Sequence, residues 1–302
     1  MPTWNRREVL AAAAALGLAP TLAVSMERKM LTRAIPSSGE ALPVIGLGTY
    51  SVFDVDGSDD EIAVRKAIVE MLYDHGGSLI DTSPMYNRSE KVIGDVFAAG
   101  APRTSCFVAT KVWIDGQQDG VEQMNASAEL MRTDMIDPMQ VHNLRDTEIH
   151  MNTIRAWQEQ GRIRYNGLTH YTAGAHEAME AAMKKYQPEF IQINYSVGER
   201  ESHDRLLPLA QDMGIAVIAN RPFQSGRLFS AVRGKELPEW AGEFAASWGQ
   251  FFLKYIVSHP AITNVIPATS KTKHMQDNLL AGFGDMPDAK VRQKMERFVD
   301  AL

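Results

Sequence analysis

The amino-acid sequence predicts a (β/α)8 barrel, or TIM barrel, preceded by an N-terminal β-hairpin. Short apolar segments alternate with amphipathic segments along the chain, and no linker-like run rich in Ser, Gly or Pro divides it after residue 30. The length of 302 residues suits one such barrel, which typically needs about 250 residues. Alternating strands and helices indicate a parallel sheet. A doubly wound open sheet alternates in the same way and is the main alternative.

The predicted strands are short apolar runs, several rich in Val and Ile, as in strands that are buried on both faces. They are Val44–Thr49, Gly77–Asp81, Cys106–Lys111, Pro138–His142, Tyr165–Thr169, Phe190–Asn194, Ile215–Ala219 and Asn264–Pro267. The predicted helices are Glu61–His75, Glu90–Ala99, Val121–Met131, Glu148–Gln160, Ala173–Lys185, Asp204–Met213, Trp240–Ser258 and Lys273–Ala281. Residues 30–43 resemble a hairpin that could close the barrel bottom, because Pro36–Gly39 is a turn sequence. The connection over residues 220–239 is longer than usual and is predicted to be a working loop.

Residues 1–25 are predicted to be a twin-arginine export signal, followed by a single barrel domain over residues 30–302. The adjacent Arg6 and Arg7 precede a weakly apolar run, Ala11–Leu18, and then small residues, which is the layout of such signals. The apolar run is too short to anchor the chain in a bilayer about 30 Å thick. We therefore expect a periplasmic protein without membrane anchoring. If the segment is only an extension of the enzyme, the location is cytoplasmic.

Composition excludes several classes of function. The single cysteine, Cys106, allows neither an intrachain disulfide nor a cysteine metal cluster. The eight histidines are scattered without the spacing of a zinc site, so no metal is predicted. The net charge is −6 and the acidic residues are spread along the chain, which argues against a nucleic-acid surface. The expected partner is a small molecule.

Four residues of catalytic type converge on one rim of the predicted barrel. Active sites of such barrels lie at the carboxyl ends of the strands. Asp81, Lys111 and His142 end three successive predicted strands, and Tyr86 follows in the loop after the first. Alone, each could be structural, as a helix cap, a packing residue, a solvated strand end or a core histidine. Together they indicate a catalytic group.

These residue types suit the reduction of a carbonyl group. A carbonyl that accepts hydride develops negative charge on oxygen and must be protonated. Tyr86 is a poor acid at its ordinary pKa of about 10, and a nearby Lys111 ammonium would lower that pKa. Asp81 would keep Lys111 charged, while His142 would orient the carbonyl oxygen. In an unrelated barrel enzyme, Lys111 could instead form a Schiff base with a sugar phosphate.

The sequence resembles the aldo-keto reductase family from about residue 30 to the C-terminus. The motifs that carry the resemblance are Gly46-Leu47-Gly48-Thr49-Tyr50, Asp81-Thr82-Ser83-Pro84-Met85-Tyr86, Ala109-Thr110-Lys111-Val112-Trp113, Val141-His142-Asn143, Gly161-Arg162-Ile163-Arg164-Tyr165-Asn166-Gly167 and Ile191-Gln192-Ile193-Asn194-Tyr195-Ser196. The resemblance implies a monomeric barrel with a nicotinamide cofactor and the tetrad Asp81, Tyr86, Lys111 and His142. It implies reduction of an aldehyde or ketone to an alcohol. Some family members are regulatory subunits, so a cofactor-binding redox sensor with slow turnover is the alternative.

The resemblance also implies positions for the cofactor and substrate. Residues expected at the nicotinamide and its carboxamide are Gly48, Thr49, Thr169, His170 and Gln192, with Tyr50 and Trp113 walling the substrate pocket. Other expected cofactor contacts are Arg221, Pro222 and His274. Arg221 and Pro222 follow Asn220, a position that is often aromatic in the family; either stacking is lost or Phe223 replaces it. Asp277 and Asn278 match adenine contacts. Gly46 and Gly48 are not a dinucleotide fingerprint, because the third glycine is replaced by Ser51.

The loop after the last predicted strand is expected to bind phosphate. It contains Thr269, Ser270 and Lys271 and enters a predicted helix, whose free backbone N–H groups attract anions. The family often clamps the 2′-phosphate of NADPH with a lysine and an arginine, where this chain has Ala268 and His274. Lys271 or Lys273 could substitute. We therefore expect NADP(H) rather than NAD(H).

Overall fold

A computed structural model describes residues 29–302, so the predicted export signal lies outside the described residues. The eight strands of the main sheet are all parallel and follow one another in chain order. Hydrogen bonds from Gly46 N to Val265 O (2.8 Å) and from Gly48 N to Pro267 O (3.1 Å) join the first strand to the last. This closure confirms the predicted barrel, because an open doubly wound sheet would leave its outer strands unpaired.

Two strands form the N-terminal hairpin and eight form the barrel. The hairpin strands are β1 (Thr32–Ala34) and β2 (Ala41–Pro43). The barrel strands are β3 (Leu47–Gly48), β4 (Leu79–Asp81), β5 (Phe107–Val112), β6 (Ile136–His142), β7 (Ile163–Thr169), β8 (Phe190–Asn194), β9 (Ala216–Asn220) and β10 (Asn264–Val265).

Helices cover the outside of the barrel. They are α1 (Asp59–Asp74), α2 (Ser89–Ala98), α3 (Gln117–Leu130), α4 (Thr147–Glu159), α5 (His176–Tyr186), α6 (Leu206–Met213), α7 (Arg227–Ala231), α8 (Trp248–Val257), α9 (Thr272–Leu280) and α10 (Ala289–Asp300). Helix α7 lies within the predicted long connection, and α10 is an additional C-terminal helix. Within residues 29–302, none of the helices is long and apolar enough to span a bilayer.

The predicted helix Trp240–Ser258 was placed too early at its N-terminus. Helix α8 begins at Trp248, and residues 239–243 form a separate 3-10 turn. The extended backbone of Ser247 interrupts the helical path, and its hydroxyl accepts a hydrogen bond from Gln250 N. A capping serine satisfies a backbone donor that would otherwise have no partner. The apolar pattern continued across this boundary because both segments pack against the core.

The hairpin closes the amino-terminal end of the barrel, as predicted. Ile35 and Leu42 are buried in a cluster with inward residues near the strand starts, including Phe107 and Phe190. The Tyr165 hydroxyl donates to Glu40 in the hairpin at 2.7 Å. Because this end is filled with apolar side chains, the carboxyl ends of the strands form the open rim.

Gly46 and Gly48 serve the closure of the barrel. A Cβ atom at Gly46 would lie 2.9 Å from Asn264 Oδ1, and one at Gly48 would lie 2.8 Å from Ile266 O. Such distances are well below normal contact, so any side chain would push β3 away from β10. The spacing of these glycines therefore reflects strand packing.

Candidate active site

Asp81 and Lys111 form a buried ion pair at the centre of the rim. Lys111 Nζ lies 2.8 Å and 2.9 Å from the two Asp81 carboxylate oxygens and also donates to Thr82 O at 2.6 Å. Both side chains are almost completely buried. Burial alone would lower the pKa of Lys111, but the Asp81 carboxylate and Tyr86 raise it above its usual value. Lys111 is therefore an ammonium ion at neutral pH.

Tyr86 lies beside this pair, in the loop between β4 and α2. Lys111 Nζ is 5.1 Å from the centre of its ring. Burial raises the pKa of Tyr86 and outweighs the Lys111 charge, which acts in the opposite direction. The expected net lowering of this pKa is therefore wrong, because the surroundings remove more hydration from a phenolate than one ammonium restores. Tyr86 is neutral at physiological pH and carries the proton that a donor needs.

His142 completes the tetrad at the end of β6. Its ring meets Tyr86 edge-on with 6.2 Å between ring centres. Burial, helped by the charge of Lys111, lowers the pKa of His142 to about 3. The imidazole is therefore neutral, and one of its nitrogens bears a hydrogen. Its Nδ1 lies 3.1 Å from Ser83 Oγ.

Gln192 and Thr169 extend the network on the neighbouring strands. Gln192 Nε2 donates to Asp81 Oδ1 at 2.7 Å, and Thr169 Oγ1 donates to Gln192 Oε1 at 3.0 Å. These two hydrogen bonds hold the Asp81 carboxylate in place. Thr169 is the last residue of β7, and Gln192 lies in the middle of β8, where the two strands pair. Contact of both residues with a nicotinamide carboxamide stays a prediction.

His170 presents a defined donor to the same region. Its Nδ1 accepts hydrogen bonds from Tyr171 N at 3.0 Å and Thr172 N at 3.3 Å. Burial and the nearby His176 lower the pKa of His170. A neutral ring whose Nδ1 accepts must carry its hydrogen on Nε2. His170 can therefore donate to an oxygen such as that of a carboxamide.

Aromatic side chains border the entrance to the tetrad. Tyr50 follows β3, is 66% exposed, and meets the Tyr86 ring edge-on at 5.1 Å. Trp113 follows β5, and the Arg145 guanidinium lies 4.6 Å from its ring centre. Arg145 is held in turn by Asp115 through bonds of 2.7 Å and 2.6 Å. Tyr50 and Trp113 thus follow two of the strands whose carboxyl ends form the rim; their role as walls of a substrate pocket stays a prediction.

Unpartnered polar atoms lie where β9 ends. Asn220 Oδ1 and Arg221 Nε are buried, and no residue from 29 to 302 forms a hydrogen bond with them. Arg221 has a left-handed backbone, φ 54°, and its guanidinium lies 5.7 Å from the Tyr171 ring centre. Pro222 follows, buried. Buried polar atoms without partners are rare in folded proteins. They fit a site that binds a polar ligand.

Phe223 does not replace the aromatic residue missing at Asn220. Its ring packs on Phe229, with 4.8 Å between centres, and against the hydrophobic core. An exposed aromatic side chain, Tyr171, follows the end of β7. Its ring stacks on that of His170, with 5.6 Å between ring centres and an interplanar angle of 8°. The sequence motifs did not single out Tyr171, because it follows the strand end in a segment without a recognisable pattern.

The start of α9 has the features of an anion site. Thr269 Oγ1 accepts from Lys271 N at 3.1 Å and shapes the turn that precedes the helix. Lys271 is the N-cap residue and provides no side-chain cap, so the first turn keeps free backbone donors. Ser270 and Lys273 flank it in sequence. Burial and the neighbouring Lys273 and Lys271 charges lower the pKa of His274, so the cationic groups here are the lysines.

Asp277 has a structural role in addition to the expected adenine contact. Its carboxylate accepts from Ser247 Oγ at 2.6 Å and from Gln250 Nε2 at 2.8 Å. These bonds tie α9 to the first turn of α8. Asn278 is buried beside them, within 3.8 Å of a Cβ position at Gly249. Contact with adenine remains a prediction for both residues.

The profile of the Aldo/keto reductase family matches residues 44–294, which is most of the chain. The chain belongs to the aldo/keto reductase family. It is 29% identical over 266 residues to methylglyoxal reductase YeaE from Escherichia coli, covering 84% of this chain and 89% of that protein. It is 24% identical over 249 residues to methylglyoxal reductase DkgB from Salmonella typhi, covering 80% and 87%.

Solved structures of other aldo/keto reductases have the same fold. An aldo-keto reductase from Klebsiella pneumoniae in complex with NADPH superposes with a TM-score of 0.74 at 22% identity, covering 90% of this chain and 95% of that one. The expected fold and oxidoreductase class are thus confirmed.

The described part of this aldo/keto reductase, residues 29–302, holds no cluster of three or more His, Cys, Asp or Glu side chains arranged to bind a metal. Its tetrad comes from β4, the following loop, β5 and β6. Within the tetrad's surroundings, sequence reasoning also missed the contact between Ser83 and His142. The serine is visible in the Asp81-x4-Tyr86 motif, but the motif does not reveal what its hydroxyl touches.

Proposed function

We propose that this protein reduces a small aldehyde or ketone to an alcohol with NADPH as the reductant. The observation that carries the proposal is the tetrad, in which a neutral, half-buried Tyr86 and a neutral His142 lie beside the buried Lys111 ammonium. A bound reduced nicotinamide supplies the hydride that adds to the carbonyl carbon.

Each tetrad residue has a separate task in this reaction. His142 donates a hydrogen bond to the carbonyl oxygen and holds it near Tyr86. Tyr86 gives its hydroxyl proton to that oxygen as negative charge develops there. The Lys111 ammonium stabilises the phenolate that remains, and Asp81 holds the ammonium in place through bonds of 2.8 Å and 2.9 Å. This division combines general acid catalysis with electrostatic stabilisation.

Substitution of Tyr86 tests the mechanism. Tyr86→Phe keeps the ring but removes the proton, and general acid catalysis typically contributes 100-fold to 10,000-fold, so we expect kcat to fall by roughly that range. The assay is NADPH oxidation at 340 nm with a panel of aldehydes and ketones. Tyr73→Phe is the matched control, since this half-buried tyrosine lies on helix α1 and not on the rim that carries the tetrad. Wild-type rates in Tyr86→Phe would overturn the assignment.

Methylglyoxal and related 2-oxoaldehydes are the first substrates to test. Two relatives that this chain covers over most of their length are methylglyoxal reductases. The entrance between Tyr50 and Trp113 is aromatic and suits a compact carbonyl compound. We expect kcat/KM for methylglyoxal to exceed that for a bulky aromatic ketone; the reverse order would contradict this substrate class.

Two observations support NADP(H) over NAD(H). The first turn of α9 lacks a side-chain cap, and Lys271 and Lys273 add positive charge beside it. A 2′-phosphate dianion would be stabilised by both. Asn220 and Arg221 offer buried polar atoms for the rest of the cofactor. Fluorescence titration with NADPH and NADH measures the preference without requiring a substrate.

Neither alternative chemistry is favoured by the geometry. A Schiff-base lysine must be neutral to attack a carbonyl, whereas the pKa of Lys111 is raised and Asp81 and Thr82 accept its hydrogens. A regulatory subunit without turnover needs no intact proton donor, yet all four tetrad residues are in place.

We further propose export through the twin-arginine pathway, which rests on the pattern of residues 1–25 alone. Because that pathway carries folded proteins, the enzyme would leave the cytoplasm with its cofactor bound and recycle it by coupled oxidation and reduction of two substrates. Cell fractionation tests the location: an Arg6→Lys, Arg7→Lys double variant should remain cytoplasmic. Purification from the periplasm without bound nucleotide would contradict the cofactor part.

We also propose that the active unit is a monomer, since the whole tetrad comes from one chain. Sedimentation at assay concentrations would reveal a larger species.

A further inference from the structure

We propose that Ser83 is a positioning residue that sets the tautomer of His142 and so aims its Nε2–H group at the substrate. The inference rests on the proposed function, because it assigns His142 the task of binding the carbonyl oxygen. The role of Ser83 itself follows from the need to pair every buried hydrogen-bond donor with an acceptor.

The first step is that His142 is neutral. Its lowered pKa leaves one hydrogen to be shared between two ring nitrogens. Nδ1 faces Ser83 Oγ at 3.1 Å, so Nε2 is the ring nitrogen left for the substrate. Only the tautomer with its hydrogen on Nε2 can therefore donate to the carbonyl oxygen. The other tautomer would present a lone pair to the substrate oxygen and repel it.

The buried hydroxyl of Ser83 also needs hydrogen-bond partners for both its oxygen and its hydrogen. The side chain is fully buried, and its oxygen accepts from Met85 N at 3.2 Å. The hydroxyl hydrogen must also find an acceptor, and within residues 29–302 the other polar atom in reach of Ser83 Oγ is His142 Nδ1. If Nδ1 carried the hydrogen, Ser83 would accept twice and its own hydrogen would be unpaired, which costs about 1–3 kcal/mol when buried.

The tautomer of His142 that Ser83 favours is the one that the reaction needs. With Ser83 donating to Nδ1, every hydrogen of the pair is used, and Nε2–H is left for the substrate. Met85 N fixes the Ser83 oxygen in turn, because both belong to the short loop that leads from Asp81 to Tyr86. One loop therefore delivers the proton donor and orients the neighbouring imidazole.

The experiment reads the tautomer directly. In wild-type protein labelled with ¹⁵N-histidine, we expect the protonated ring nitrogen of His142 to be Nε2, with the resonance assigned by comparison with His142→Asn. Finding the hydrogen on Nδ1 would overturn the proposal without any variant of Ser83. The measurement needs no turnover, so it stays informative even if the protein reduces no carbonyl compound.

Substitution then tests the consequence. In Ser83→Ala we expect both tautomers to be populated and kcat to fall about tenfold, as expected for losing one hydrogen bond, while the NADPH dissociation constant stays unchanged. Ser83→Thr retains the hydroxyl and should restore the Nε2–H tautomer. Ser202→Ala removes another fully buried hydroxyl, which donates to Asn194 O, and should alter neither quantity. A Ser83→Ala enzyme with an unchanged tautomer and kcat would refute the role.

Discussion

Replacing Asp81 by Asn should leave the Lys111 ammonium buried without its counter-charge. In the folded protein the ammonium is fully buried and held at 2.8 Å and 2.9 Å by the carboxylate. Breaking a buried pair from one side costs about 3–5 kcal/mol. We expect Asp81→Asn and Lys111→Met each to lower the free energy of unfolding by about that amount, because each leaves one uncompensated charge.

The double variant separates the pair from its two members. With both charges removed, the Asp81→Asn, Lys111→Met protein should recover much of the lost stability, giving a coupling of roughly 3 kcal/mol. Urea unfolding followed by circular dichroism measures all four proteins at one pH. If the two losses simply add, the buried pair is not the source of the destabilisation and the electrostatic account fails. NADPH oxidation should remain lost in the double variant, since no Lys111 ammonium is left to stabilise the Tyr86 phenolate.

Three further predictions concern the seam where β3 meets β10, the pKa of His142 and the binding of the cofactor. Gly48→Ala places a Cβ 2.8 Å from a carbonyl oxygen across the barrel seam and should destabilise the fold by about 1–3 kcal/mol in urea titrations, whereas Gly174→Ala meets nothing within 4 Å and should be near neutral. The pKa of His142 falls from 6.5 to about 3 on folding, so its contribution to stability is present above pH 6.5 and is lost as pH falls; unfolding at pH 8 and pH 5 should differ by about 2 kcal/mol more in wild type than in His142→Asn. Alanine at both Lys271 and Lys273 should weaken NADPH binding about tenfold, as expected for two exposed charges, and leave NADH binding unchanged; equal losses for both cofactors would place the 2′-phosphate elsewhere.

The order of elements was readable from sequence because each strand and helix has its own local pattern. Apolar runs that end in Asp81, Lys111 and His142 were enough to place the tetrad, since parallel strands bring their carboxyl ends to one rim. The start of α8 was misplaced because the Ser247 cap is a matter of backbone geometry. The sequence before Ser247, with Trp240, has the same aromatic spacing as the helix that begins at Trp248, so the pattern did not reveal the boundary.

The sequence by itself determined the barrel and the family and predicted the tetrad, because these depend on residue types at strand ends. Only the tertiary structure decided how the tetrad is tuned. Burial sets the net direction of the Tyr86 pKa, and burial is the sum of contacts from many strands. Ser83 meets His142 across 59 positions of sequence, and Gly48 meets Ile266 across the seam. Contacts of this kind arise only when distant segments are brought together, so no local pattern records them.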